Sequence, residues 1–78
     1  MLQRYDQAIA ALDEAGAEYD LGVACRQRAN LYQRLGQLDC ALTDLTKAQR
    51  CFEAVGASPE QDEARAATLA LSHEMPHV

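Results

Sequence analysis

The sequence predicts an all-α protein, and three observations carry that expectation. Small and apolar residues recur at steps of three and four on both sides of Gly36: Cys25, Ala29, Tyr32 and Leu35 before it, then Leu38, Ala41, Leu42, Leu45, Ala48, Phe52 and Val55 after it. That spacing lines one face of a helix. A single glycine separates the two stripes, which leaves room only for a tight antiparallel turn, so the stretch from Val23 to Val55 reads as a helical hairpin. Alanine is abundant while aromatic residues make up only 5% of the 78 positions, a composition that favours closely spaced helices over a sheet. One small domain over residues 1–75 is expected, with helices at about 2–15, 18–35, 38–55 and 59–74 and a disordered tail at 76–78.

The first helix is predicted from RYDQAIAALDEA, in which Tyr5, Ala8, Ile9, Leu12 and Ala15 share a stripe. Shifted by 33 residues these positions become Leu38, Ala41, Leu42, Leu45 and Ala48, so the segment reads as a second copy of the hairpin's second helix. Gly16 is expected to cap it. The second helix has Glu18 and Asp20 near its positive end and Arg34 in its last turn, as the helix dipole favours. Gly22 inside it costs up to about 1 kcal/mol of helix propensity, which a close approach to the first helix would explain. The third helix is capped by Gly56, and because Gly16 and Gly56 lie 40 residues apart rather than 33, it should overhang its neighbours. The fourth opens with Ser58-Pro59-Glu60-Gln61, a serine cap followed by a proline in the first helical place. It runs through Ala64, Ala67 and Leu71 until Pro76 stops it, leaving Glu63, Arg65 and Glu74 for solvent.

Ala29, Tyr32, Gly36, Leu38, Ala41, Leu45 and Ala48 together resemble one whole tetratricopeptide repeat, a helix-turn-helix unit of about 34 residues. The sequence departs from that family at Cys25, where tryptophan is frequent, and at Arg28, where leucine is frequent. The resemblance implies a short right-handed α-solenoid of about four helices, built from a half repeat, a full repeat and a capping helix. The run CFEAVGASPEQDEARAATLAL is also similar to the last repeats of large bacterial regulators and signalling ATPases, which points to a bacterial setting.

A net charge of −5 argues against nucleic acid or an anionic membrane as the main partner, since both are held by clustered Lys and Arg. Cys25, Cys40 and Cys51 leave one thiol over in any disulfide scheme, so a reducing compartment is the simpler reading. Arg4 and Asp6 interrupt any signal-peptide pattern, and no apolar run reaches the roughly 20 residues of a membrane span. A cytoplasmic protein is expected.

Chemistry-bearing groups are sparse. His73 and His77 are four apart, but Pro76 falls between them and no further ligand is suitably placed, so no metal is expected. Both histidines are far from Cys25 and Cys40, which removes the base that a thiol nucleophile needs. With no glycine-rich phosphate loop and no hydrolase motif either, neither cofactor nor catalysis is expected. Arg28 adjoins the packing stripe, and Asp44 stands as far after Gly36 as Arg28 stands before it. The two are expected to pair across the hairpin, the alternative being that Arg28 snorkels to water.

Arg26, Asn30, Gln33 and Arg34 share one side of the second helix. The resemblance implies that this helix lines a groove and that Arg26 with Asn30 holds a carboxylate of a bound peptide; donors four residues apart can converge on one acid. An ordinary solvated face is the alternative. A lone repeat cannot bury its own faces, so Tyr5, Ile9 and Leu12 on the first helix are expected to meet a second copy, unless the chain is cut from a longer array. The sequence therefore points to a non-catalytic protein–protein interaction module, with a structural or oligomerisation role as the rival.

Overall fold

The computed structural model describes residues 2–74, and every regular element among them is a helix. These are α1 (Leu2–Ala15), α2 (Glu18–Arg34), α3 (Leu38–Ala54) and α4 (Ser58–Glu74). The expected tail at 76–78 lies outside the described residues. Each helix packs on the next in sequence, α1 on α2, α2 on α3 and α3 on α4, which gives a row of antiparallel hairpins. The row is thin: its Cα extents are 38 × 28 × 16 Å, not much deeper than a helix with its side chains.

One turn design makes all three connections. Gly16, Gly36 and Gly56, at twenty-residue intervals, have φ of 71°, 77° and 70°. At the middle turn Gly36 N–H donates to the Gln33 carbonyl and Gln37 N–H to the Tyr32 carbonyl, the paired bonds of a Schellman motif. The same pair recurs from Gly16 and Ala17 to Asp13 and Leu12, and from Gly56 and Ala57 to Glu53 and Phe52. Side-chain caps contribute little at the helix starts: Ala17 and Gln37 flank α2 and α3 without a capping bond. Ser58, expected to cap α4, is instead its first residue, and Ala57 takes the flanking place and accepts from Gln61 N–H.

The core divides into two clusters. Phe52, Leu21 and Cys25 centre the larger one, joined by Ile9 of α1 and Ala64 of α4. Ala29, Ala41, Leu45 and Leu71 form the second. Ala29 is 2% exposed and Ala41 0%, so the small residues sit where two helices meet. Leu35 and Val55 depart from the expected stripes and are 53% and 47% exposed, because each is the residue at which the chain leaves the helix for its glycine turn.

Two further expectations are corrected. The third helix does not overhang: α2, α3 and α4 each have 17 residues, and only α1, with 14, is shorter. Gly22 does not serve α1. A Cβ there would fall 2.8 Å from Phe52 Cε1 and 3.1 Å from Cys51 Cβ, so the bare backbone lets the Phe52 ring of α3 lie against α2. Tyr19 meets that ring edge-on, with centroids 5.7 Å apart.

Candidate functional site

The α2 side chains organise the polar surface on both sides of the row. Arg28 pairs with Asp44 across the hairpin, as expected, rather than snorkelling to water: Nε donates to Oδ2 and Nη2 to Oδ1, each at 2.7 Å. Asp44 is 3% exposed, and this fork satisfies both of its oxygens. The remaining terminal nitrogen, Nη1, donates to Asp6 of α1 at 2.8 Å, and the guanidinium carbon lies 5.7 Å from the Tyr32 ring centre. Hydrogen bonding to Asp44 is the main reason that the Arg28 pKa is raised above its ordinary value. Three helices are thus tied at one cation. The link to Asp6 escaped the sequence reading because it joins helices across a register that only packing fixes.

The four residues expected on the α2 face divide. Arg26 and Asn30 line a depression of about 290 Å³ between α2 and α4, together with Tyr19, Val23 and Glu60. Arg26 is not a free cation there: its Nη1 donates to Glu63 of α4 at 2.7 Å. Glu63, expected to face solvent alone, thus engages one nitrogen of the guanidinium, and a partner carboxylate at Arg26 would share the cation with it. Asn30 also lines a second depression with Arg34, Tyr5 and Leu31, between α2 and α1. Gln33 belongs to neither and reaches Glu74 of α4 at 3.3 Å. Glu60 faces the exposed Tyr19 and, by hydrogen bonding and by its charge, raises the tyrosine pKa above the ordinary value. The rim is therefore more negative than the sequence suggests.

Tyr5, Ile9 and Leu12, expected to meet a second copy, are in contact with the core of their own chain, Tyr5 and Leu12 remaining half-buried. Ile9 is 6% exposed within the main core cluster, and Tyr5 and Leu12 pack against that cluster. Their apolar surface is used against α2 of the same chain. What α1 leaves to solvent is its opposite side, with Gln3, Gln7, Ala10 and Glu14, and the flanking Ala8, Ala11 and Ala15.

A larger concavity, about 650 Å³, lies on the other side of the row and was not foreseen. It runs along α3 past Leu42, Thr46, Lys47 and Arg50, with Leu21 and Cys51 also lining it and Asp13 and Glu18 contributed by α1 and α2. Threonines and a basic pair at helical spacing on α3 were legible, but the facing acids come from the α1–α2 turn and are placed only by tertiary packing.

The thiols differ by location. Cys25 and Cys51 are buried and Cys40 is exposed. Burial pushes the Cys25 thiol up and, with Glu18 adding to it, pushes Cys51 up to about 11. Both are neutral thiols at pH 7, poor nucleophiles and poor ligands. Among the described residues no group of three His, Cys, Asp or Glu side chains is placed to hold a metal, and His77 lies outside them. No helix among them is long and apolar enough to cross a membrane. No protein-family model matches this chain, and neither a curated protein nor a solved structure matches it.

Proposed function

We propose that this chain is a non-catalytic protein–protein interaction module of the tetratricopeptide-repeat type, which takes a peptide or helix of a partner protein on the solvent-facing side of α2. The observation that carries this reading is the depression between α2 and α4. There Tyr19, 45% exposed, and Val23 offer apolar surface beside the amide of Asn30. A rigid aromatic ring next to an adaptable amide is a common composition for a protein contact. Gln33 and Arg34 extend the face along the same helix. Arg26, held by Glu63, shapes its edge. The neutral buried thiols support the non-catalytic part of the reading.

The test begins with an immobilised chain that captures partners from its native source. The captured segment is then synthesised and titrated by calorimetry. Tyr19→Ala with Asn30→Ala should weaken binding at least about tenfold, whereas Arg26→Ala should have a smaller effect. Unchanged affinity in the double variant would refute the α2 face as the site.

A structural or self-associating role is the second reading, favoured by the exposed outer sides of α1 and α4. Leu69 of α4 is 59% exposed and stands beside exposed Ala66 and Ala70. Under this reading a homodimer through α1 would exchange that helix between copies, because Tyr5, Ile9 and Leu12 are already engaged. Sedimentation showing a monomer at all concentrations would exclude it.

A further inference from the structure

The concavity along α3 has a physical character distinct from that of the α2 face. Its α3 wall is more apolar than its residue names suggest. The Thr43 hydroxyl donates to the Asp39 carbonyl at 3.1 Å and the Thr46 hydroxyl to the Leu42 carbonyl at 2.9 Å. Both hydroxyls are thus engaged with their own helix. Buried Leu21 and Cys51 close the floor of the groove, and its accessible apolar surface comes from half-buried Leu42 and the methyl groups of Thr43 and Thr46.

Its rims carry opposite charges that do not meet. Elsewhere in the chain Arg26 and Arg28 reach carboxylates at 2.7–2.8 Å. Lys47 and Arg50 line the same groove as Asp13 and Glu18, yet neither makes an ion pair within 4.0 Å among the described residues. The two cations are three residues apart on α3, about one helical turn. We infer that this groove is a second docking surface, which receives an amphipathic helix of a partner protein bearing carboxylates on one flank and cations on the other. The apolar stripe of that helix would cover Leu42 and the methyl groups of the two threonines. Its carboxylates, spaced by three or four residues, would meet Lys47 and Arg50, and its opposite flank would meet Asp13 and Glu18. Charge complementarity on both rims selects this occupant over a uniformly acidic or basic segment.

The probe is a fluorescein-labelled 18-residue peptide with leucines on one helical face, glutamates along one flank and lysines along the other, followed by anisotropy at low salt. Saturable binding is expected, weakened about tenfold or more when the peptide glutamates become glutamine or when the protein carries Lys47→Glu with Arg50→Glu. A peptide with lysine on both flanks should bind that doubly substituted protein better than it binds the wild type. Arg4→Glu with Arg65→Glu, which changes net charge equally away from the groove, should leave the affinity unaltered. So should Tyr19→Ala with Asn30→Ala, which separates this surface from the α2 face. Circular dichroism melts establish that each variant is folded. Absence of saturable binding up to about 1 mM peptide would overturn the inference, as would indifference to the Lys47 and Arg50 changes or loss with the Tyr19 and Asn30 changes.

Discussion

At the residue scale, Arg28 joins two bonds of unequal worth. Its fork on Asp44 is largely removed from water, with side-chain exposures of 18% and 4%, while Asp6 is 56% exposed. Removing the cation abandons a buried carboxylate, so Arg28→Met should destabilise the fold by about 3–5 kcal/mol in urea denaturation. Asp6→Asn should cost less than about 1 kcal/mol, and salt should shrink that difference further. Equal losses from the two substitutions would show that Asp44 is not the dominant partner. Cys51 supplies a pH dependence of definite sign. Its thiol moves from an ordinary 9.0 up to about 11 in the folded chain, so above pH 9 the unfolded state sheds a proton that the folded state retains. That contribution is fully present below pH 9 and is lost as the pH rises toward 11. Cys51→Ala should flatten the decline over this interval. The spacing across Gly36 made the Arg28–Asp44 pair legible, because two helices leaving one tight turn place equidistant residues at the same height.

At the element scale, α1 is the least secured helix. It is three residues shorter than the others and packs chiefly on α2. Its attachment depends on Ile9, on the flanking Tyr5 and Leu12, and on the Asp6 link to Arg28. Ile9→Glu places a charge in the main core cluster and should destabilise the chain by about 3 kcal/mol or more, with amide exchange accelerated first in α1. If α1 instead docks through its outer alanines, the substitution will leave exchange unchanged. Periodicity showed that Tyr5, Ile9 and Leu12 share a stripe, but a stripe has no address. Whether it faces a neighbouring helix of the same chain or a second copy is set by the handedness of the turn at Gly16 and the separation of α1 from α3. The expected overhang of α3 failed for a related reason: a shift of 33 aligns the stripes, whereas the three glycine turns recur every twenty residues and give α2 and α3 matched lengths.

At the scale of the whole molecule, four helices in a row form a slab with two open sides, and each side carries its own concavity. The sequence by itself determined the helices, their antiparallel order and the small-residue contact of the central hairpin, because helical periodicity, the glycine turns and small residues at a contact are local properties of the chain. It also pointed to Asp44 as the partner of Arg28, while the burial of Asp44 emerged only in the fold. Only the tertiary structure decided which polar residues remain available. Arg26 and Asn30 are neighbours on one helix, yet Glu63 arrives from α4 to take the arginine. Lys47 and Arg50 are equally plain on α3, but their lack of a carboxylate within reach depends on how far Asp13 and Glu18 are held away by packing. Side-chain chemistry is written along the chain, while the distance between opposite charges on different helices is a consequence of how the core fills.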